Sequence, residues 1–155
     1  MKKQDYNATI VVKATPVEVF KNINRVSAWW AEDIEGSTEN LNDVFTIHFG
    51  TPYVTFQIVE LVPEQKVVWL VTGCYLPWLS DKTEWNDTRA SFEVTSENDA
   101  TSINFTHIGL APGIECYDSC VKGWDQYVKG SLYKLITEGK GAPQKKAPAT
   151  AKLAE

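Results

Sequence analysis

Through most of residues 44–108 apolar side chains recur at alternate positions, which predicts a run of short strands. Phe45, Ile47 and Phe49 share one face, as do Val54, Phe56 and Ile58, then Ala90, Phe92 and Val94, then Ile103, Phe105 and His107. The intervening positions are mostly Thr, Gln, Arg, Ser, Glu and Asn, so the strands should form an antiparallel sheet with one packed face and one wet face. Lys66 to Thr72 is apolar on both faces, as a central or covered strand would be. Upstream, Tyr6, Ala8, Ile10 and Val12 alternate as a first strand.

Between that first strand and the rest, the period changes. Thr15 followed by Pro16, with Glu18 three residues on, is a helix start: a capping hydroxyl, a proline at the first helical position and a carboxylate to complete a capping box. Val17, Val19, Phe20 and Ile23 make this helix short and apolar, and Ala28-Trp29-Trp30 ends a second. After His107 the helical period returns. At 100° per residue, Cys116, Tyr117, Cys120, Val121, Trp124, Tyr127, Val128, Ser131, Leu132 and Leu135 fall on one stripe, with Asp118, Lys122, Asp125, Gln126 and Lys129 opposite. One continuous helix over about 115–138 follows, packed on the Ile103, Phe105 and His107 face. Gly123 and Gly130 lie on one flank of it, each costing about 1 kcal/mol relative to alanine. Close backbone approach to the sheet would compensate. The fold class is therefore α+β: a strand, two short helices, about six more strands and a long closing helix.

These elements also carry a resemblance. Ala14-Thr15-Pro16-Val17-Glu18-Val19-Phe20, the Trp29-Trp30 pair, Thr101, Thr106-His107-Ile108-Gly109-Leu110 and the closing Gly123-Trp124, Ser131-Leu132 and Glu138-Gly139-Lys140-Gly141 stretches stand in one order. Together they resemble the family of activator of heat-shock-protein-90 ATPase homologues, within the START-like (SRPBCC) helix-grip superfamily. The resemblance runs over roughly residues 5–141. It implies a curved antiparallel sheet of about six to seven strands wrapped around the C-terminal helix, with a cavity between them. It also implies two kinds of function, since the founding members act on a chaperone whereas short single-domain members look like small-molecule binders. A fold of this kind fixes the architecture better than the task.

Composition narrows the partners. The net charge is −5, while residues 139–155 hold four lysines and one glutamate, so the acidic excess lies in the body of the chain. A nucleic-acid partner is excluded for want of a clustered basic face. Residues 1–139 read as one domain, and residues 140–155, rich in Ala, Lys and Pro, as a disordered tail. No apolar run approaches the ~20 residues that span a bilayer, and the Met-Lys-Lys-Gln-Asp start lacks a secretory segment. A cytoplasmic monomer without membrane insertion is expected. Cys74, Cys116 and Cys120 are odd in number and are expected to be reduced core residues. No metal ligand set and no cofactor motif is expected, because two scattered histidines do not complete a site with them.

Catalytic motifs are missing too: there is no phosphate-binding glycine loop, no His-Glu-x-x-His and no nucleophile elbow. His107 is the best candidate base, with Cys120 or Tyr127 across from it, against the simpler reading of a histidine hydrogen-bonded to a neighbour. His48 falls on the wet face and should be exposed. The connection Gly73 to Trp85 is rich in aromatics yet broken by turn residues, so Tyr75, Trp78 and Trp85 should form a lid over the cavity mouth or a cover over Trp69. The expected function is noncatalytic binding of a small hydrophobic or aromatic, lipid-like or polyketide-like molecule. The expected lining is Phe56, Trp69, Phe92, Phe105, His107, Cys120, Trp124 and Tyr127, with Tyr75 and Trp78 at the mouth. The alternatives are a chaperone co-regulator acting through its outer surface, and a small-molecule enzyme using His107.

Overall fold

The computed structural model describes residues 6–49, 52–77, 80, 82–109 and 117–143. Among these, seven strands form one antiparallel sheet: β1 (Tyr6–Val12), β2 (Ile34–Gly36), β3 (Val44–His48), β4 (Tyr53–Val62), β5 (Lys66–Tyr75), β6 (Arg89–Glu97) and β7 (Ala100–Ile108). The spatial order β1-β7-β6-β5-β4-β3-β2 makes β2 to β7 a meander, with the first strand closing beside the last. Tyr6 stands opposite His107 and Ile10 opposite Ile103, so the inward residues of β1 and β7 share one layer. As the central strand, β5 is flanked on both sides. That is why Val68 is buried on the outer face while Val67, Trp69 and Val71 are buried on the inner one. Irregularities between Thr55 and Phe56 and between Ile58 and Glu60 break the β4–β5 register. Extra residues of this kind bend a strand and increase its twist, which curves the sheet inward.

The helices follow their start signals. In α1 (Pro16–Asn24) the Glu18 amide donates to Thr15 Oγ1 at 3.2 Å while the Thr15 amide donates to Glu18 Oε1 at 3.3 Å, a complete capping box. Thr101 Oγ1 donates to the Ala14 carbonyl at 2.6 Å, tying this entry to β7. The four-residue α2 (Val26–Trp29) follows at once. The closing helix runs without a break but not in one form: α3 (Tyr117–Trp124) gives way to a π-helical segment (Asp125–Leu132) and then to α4 (Tyr133–Glu138). Its stripe holds, since Trp124, Val128, Ser131, Leu132 and Leu135 are buried and Cys120, Val121 and Tyr127 pack partly buried against the core. The Tyr6 hydroxyl donates to the Asp125 carboxylate and ties the edge strand to the π-helical turn.

Two expectations about this region are corrected. A Cβ at Gly123 or Gly130 would meet nothing within 4 Å, so neither glycine answers to close approach to the sheet. The close approach falls at Gly141 instead, where a Cβ would lie 2.5 Å from the Ala28 carbonyl oxygen. There the Ala142 amide donates to Ser131 Oγ at 2.6 Å, so the chain keeps contact with the body past residue 139. The rest of the expected tail, 144–155, lies outside the described residues. The second correction concerns the cysteines: Cys74 is buried and keeps its thiol, but Cys120 is in a disulfide. An odd count of cysteines does not forbid a bridge. Cys116 lies outside the described residues.

Candidate functional site

Six of the ten expected lining residues come together. Phe56, Trp69, Phe92, Phe105, His107 and Trp124 are all buried on the inner face of the sheet or the helix above it. Trp29 and Trp30, which α2 and its C-terminal end bring into the middle of the grip, pack among them. Trp30 lies parallel to Trp69, with ring centroids 6.2 Å apart and planes within 5°, and meets Trp124 at 4.8 Å and Phe56 at 5.6 Å. Trp29 stacks on Trp69 at 6.4 Å and turns its edge to Phe92 at 5.9 Å. The two are held differently. The Trp29 indole N–H donates to the Ile23 carbonyl at 3.0 Å, whereas the Trp30 indole has no such bond among the described residues.

At the β7 end of the sheet the packing becomes polar. Trp124 Nε1–H donates to His107 Nδ1 at 3.0 Å, and His107 Nε2 lies 2.9 Å from Thr88 Oγ1. The first bond leaves Nδ1 only the acceptor role, so the proton sits on Nε2 and is donated to Thr88. Thr88 Oγ1–H in turn donates to the Trp85 carbonyl at 2.6 Å. Trp85 closes the corner, stacking on Trp124 at 5.9 Å and meeting the imidazole edge-on at 4.6 Å. Gly109 makes this possible. Its φ is +106°, and a Cβ there would lie 2.7 Å from Thr88 Cγ2, so a side chain would push away the hydroxyl that His107 needs.

Burial holds the His107 pKa down to about 3, so the ring is neutral near pH 7. Its one lone pair is engaged by Trp124 and its proton by Thr88, so both ring nitrogens are partnered within the protein. Tyr127, partly buried, has its phenol pKa raised by desolvation. Among the described residues no group of three or more His, Cys, Asp or Glu could hold a metal ion.

The remaining expected residues are placed otherwise. Cys120 and Tyr127 pack against the rim of the core. Tyr75 is separated from the cluster: it pairs with Tyr53 across β4 and β5, their rings 6.3 Å apart, while its neighbour Cys74 takes the inward place. Trp78 lies outside the described residues. Trp85 is a wall against Trp124 and His107, not a cover over Trp69. His48, placed on the outer face as expected, is only half-exposed and pairs with Glu35 at 2.9 Å. Two open grooves, of about 470 and 510 Å³, lie elsewhere, one beside Thr15 and Asp99 and one beside Lys66 and Glu93 on the outer face.

Sequence reasoning misses the place of Trp29 and Trp30 at the centre and of Thr88 and Trp85 in the polar corner. The signals are two adjacent indoles at a helix end and a glycine two residues after the inward histidine.

No family model matches the chain, and no curated protein matches it in sequence. Solved structures do. The chain is similar to the Aha1 dimer from Colwellia psychrerythraea, at 24% identity and a TM-score of 0.74, over 91% of this chain and 100% of that one. It is similar to DynU16, a protein of the dynemicin biosynthetic locus, at 15% identity and a TM-score of 0.70, over 94% of this chain but only 52% of the other. CalU16 from Micromonospora echinospora matches at 12% identity and a TM-score of 0.64, over 86% of this chain and 76% of that one. The shared architecture, a curved antiparallel sheet closed by a C-terminal helix, is the helix-grip fold.

Proposed function

We propose that this protein binds a small hydrophobic or aromatic molecule without transforming it, in the space that the Trp30 ring now fills between Trp69 and Trp124. The observation that carries this reading is the Trp30 indole itself. A flat ring lies parallel to Trp69 and against Trp124, in an arrangement an aromatic guest could take. It is delivered by a helix of only four residues that has no side-chain cap, and no hydrogen bond of its indole among the described residues resists withdrawal. Exchanging one flat apolar ring for another leaves the buried area nearly unchanged, so a guest must recover through its own contacts both the cost of moving α2 and that of its immobilisation.

The test is a screen of fatty acids, polyketides and flavonoid-like compounds, followed through tryptophan emission and the indole and backbone resonances. Binding should shift the Trp30 and Trp124 indoles together with residues 120–131. If these stay unmoved while the ATPase domain of a heat-shock chaperone shifts the outer sheet face, the pocket reading fails and surface co-regulation replaces it. The Colwellia protein is described as a dimer. For this chain we keep the monomer, and a sedimentation mass of twice the chain mass would overturn that. No helix among the described residues is long and apolar enough to cross a membrane, and we place the protein in the cytoplasm, a location that fractionation of cells producing it would test.

A further inference from the structure

Two stretches of the closing region, Ser131-Leu132 and Glu138-Gly139-Lys140-Gly141, have no part in the site described above. The structure joins them. The π-helical segment carries Ser131 on its buried side, a hydroxyl in an otherwise apolar stripe. Past α4 the chain turns at Gly139, whose φ is +82°, and the Ala142 amide then donates to Ser131 Oγ at 2.6 Å. The return passes so close to α2 that a Cβ at Gly141 would lie 2.5 Å from the Ala28 carbonyl oxygen, as well as 3.0 Å from Ser131 Oγ. A side chain there finds no room. Residues 139–143 thus form a strap wedged between α2 and the closing helix.

Little else holds either partner. Gly139, Lys140 and Ala142 are exposed, and the strap has no large apolar side chain to bury. The helix α2 has four residues and no side-chain cap, and of the two indoles it brings inward only Trp29 has a hydrogen bond among the described residues. Ala28 stands two residues before Trp30, so any motion that draws Trp30 from its place carries the Ala28 carbonyl with it. We propose that Ser131 and Gly141 are positioning residues: they seat the strap, the strap holds α2, and its release lets Trp30 yield its place to a guest. The guest step rests on the pocket reading given above; the hold on α2 does not. Such an opening is local, confined to a part of the fold with few buried contacts.

Ser131→Ala removes the seat and leaves no buried group unmatched, because Ala142 is exposed and its amide turns to water. Hydrogen exchange in the whole chain reads the hold. The Trp30 and Ala31 amides, which donate to the Val26 carbonyl at 2.8 and 3.4 Å, should exchange about tenfold faster in the variant, while the β7 amides keep their rates. Unchanged rates at Trp30 and Ala31, or an equal rise there and in β7, would overturn the inference. Free indole, a ring of the kind it would displace, reads the guest step. Ser131→Ala should bind it about tenfold more tightly than the natural chain does, although the variant is the less stable protein, and the Trp30 indole resonance should move. Faster exchange in α2 with equal indole affinity would overturn the link between strap and guest. Faster exchange with no indole binding by either protein would overturn the pocket reading and leave the hold on α2 standing. Should Ser131→Ala fail to fold, Gly141→Ala, which leaves the strap no room against α2, is read by the same two measurements.

Discussion

The two tryptophan-rich regions of this molecule are built on opposite rules. In the corner formed by His107, Trp124, Thr88 and Trp85, each ring nitrogen of the histidine is matched to a partner and a glycine is spent to bring one of them close. At the centre, Trp30 and Trp69 lie parallel and are joined by ring packing alone, and the Trp69 donor there, like the Trp85 donor beside the corner, has no acceptor among the described residues. A matched hydrogen-bond network defines one arrangement, because any displacement exposes a buried polar group. Stacked apolar rings lose less on being exchanged, since another flat ring restores most of the contacts. The corner therefore reads as fixed framework and the centre as the replaceable part.

Truncation at the centre should have the largest effects. Removing a buried tryptophan costs about 3–5 kcal/mol. Trp29→Ala should lie at the upper end, because it also leaves the Ile23 carbonyl without its donor, and Trp30→Ala about 1 kcal/mol lower. Free indole added to Trp30→Ala should raise its thermal midpoint in a concentration-dependent way, as a ligand confined to the folded state does. Equal losses for the two variants, with no rescue by indole, would erase the distinction between anchor and plug.

Acid should act through the corner. His107 has its pKa lowered from 6.5 to about 3 by burial, so between those values the unfolded chain binds a proton that the native state does not. Stability is then fully present above the unfolded value and falls as pH drops toward the folded one, by up to about 1.4 kcal/mol per pH unit from this group. Urea unfolding from about pH 6 to about pH 4 should show a total loss near 2 kcal/mol greater for the natural chain than for His107→Gln, which has no such titration. Parallel pH profiles would mean that the ring is protonated in the native state. Removing the hydroxyl alone is milder: Thr88→Val leaves the Nε2–H of His107 buried without an acceptor and should cost about 1–2 kcal/mol. A loss below about 0.5 kcal/mol, the range of ordinary surface changes, would show that the relay does not rigidify the corner.

How much of this is legible depends on which residues have a period to betray them. The inward faces of β1, β3, β4, β6 and β7 follow from alternation, and the first helix from Thr15, Pro16 and Glu18, because a capping box is a local arrangement that needs no tertiary context. The pattern marks Trp29 and Trp30 as a helix end but not as the filling of the grip. Adjacent residues on a helix point about 100° apart, so a single stripe cannot contain both; they are buried together only because α2 stops there, inside the sheet's concavity. Trp85 and Thr88 sit in a connection without periodicity, and their positions depend on β7 and the closing helix, far away in sequence. The π-helical turn has the same composition as an α-helical one, and its i→i+5 bonding leaves no mark in the pattern of polar residues.

The smallest predicted effects separate the glycines of the closing helix. Gly123 lies in α3 with nothing within 4 Å of an added methyl group, and its backbone is not left-handed. Replacing it with alanine keeps every contact and removes conformational freedom from the unfolded chain, so Gly123→Ala should stabilise the protein by about 0.5–1 kcal/mol. Gly141 is the opposite case. An added Cβ would press on the Ala28 carbonyl at 2.5 Å and on Ser131 Oγ at 3.0 Å, and Ala28 belongs to the segment that carries Trp29 and Trp30. Gly141→Ala should therefore lower stability by about 1 kcal/mol, since backbone on one side leaves little room to yield. Differential scanning calorimetry of the two variants reads the sign directly. A fall in midpoint for Gly123→Ala would restore the close approach that the alternating sheet and the two helix glycines suggested. A rise for Gly141→Ala would mean that the chain past α4 is not held against α2, and that the body ends where the helix does.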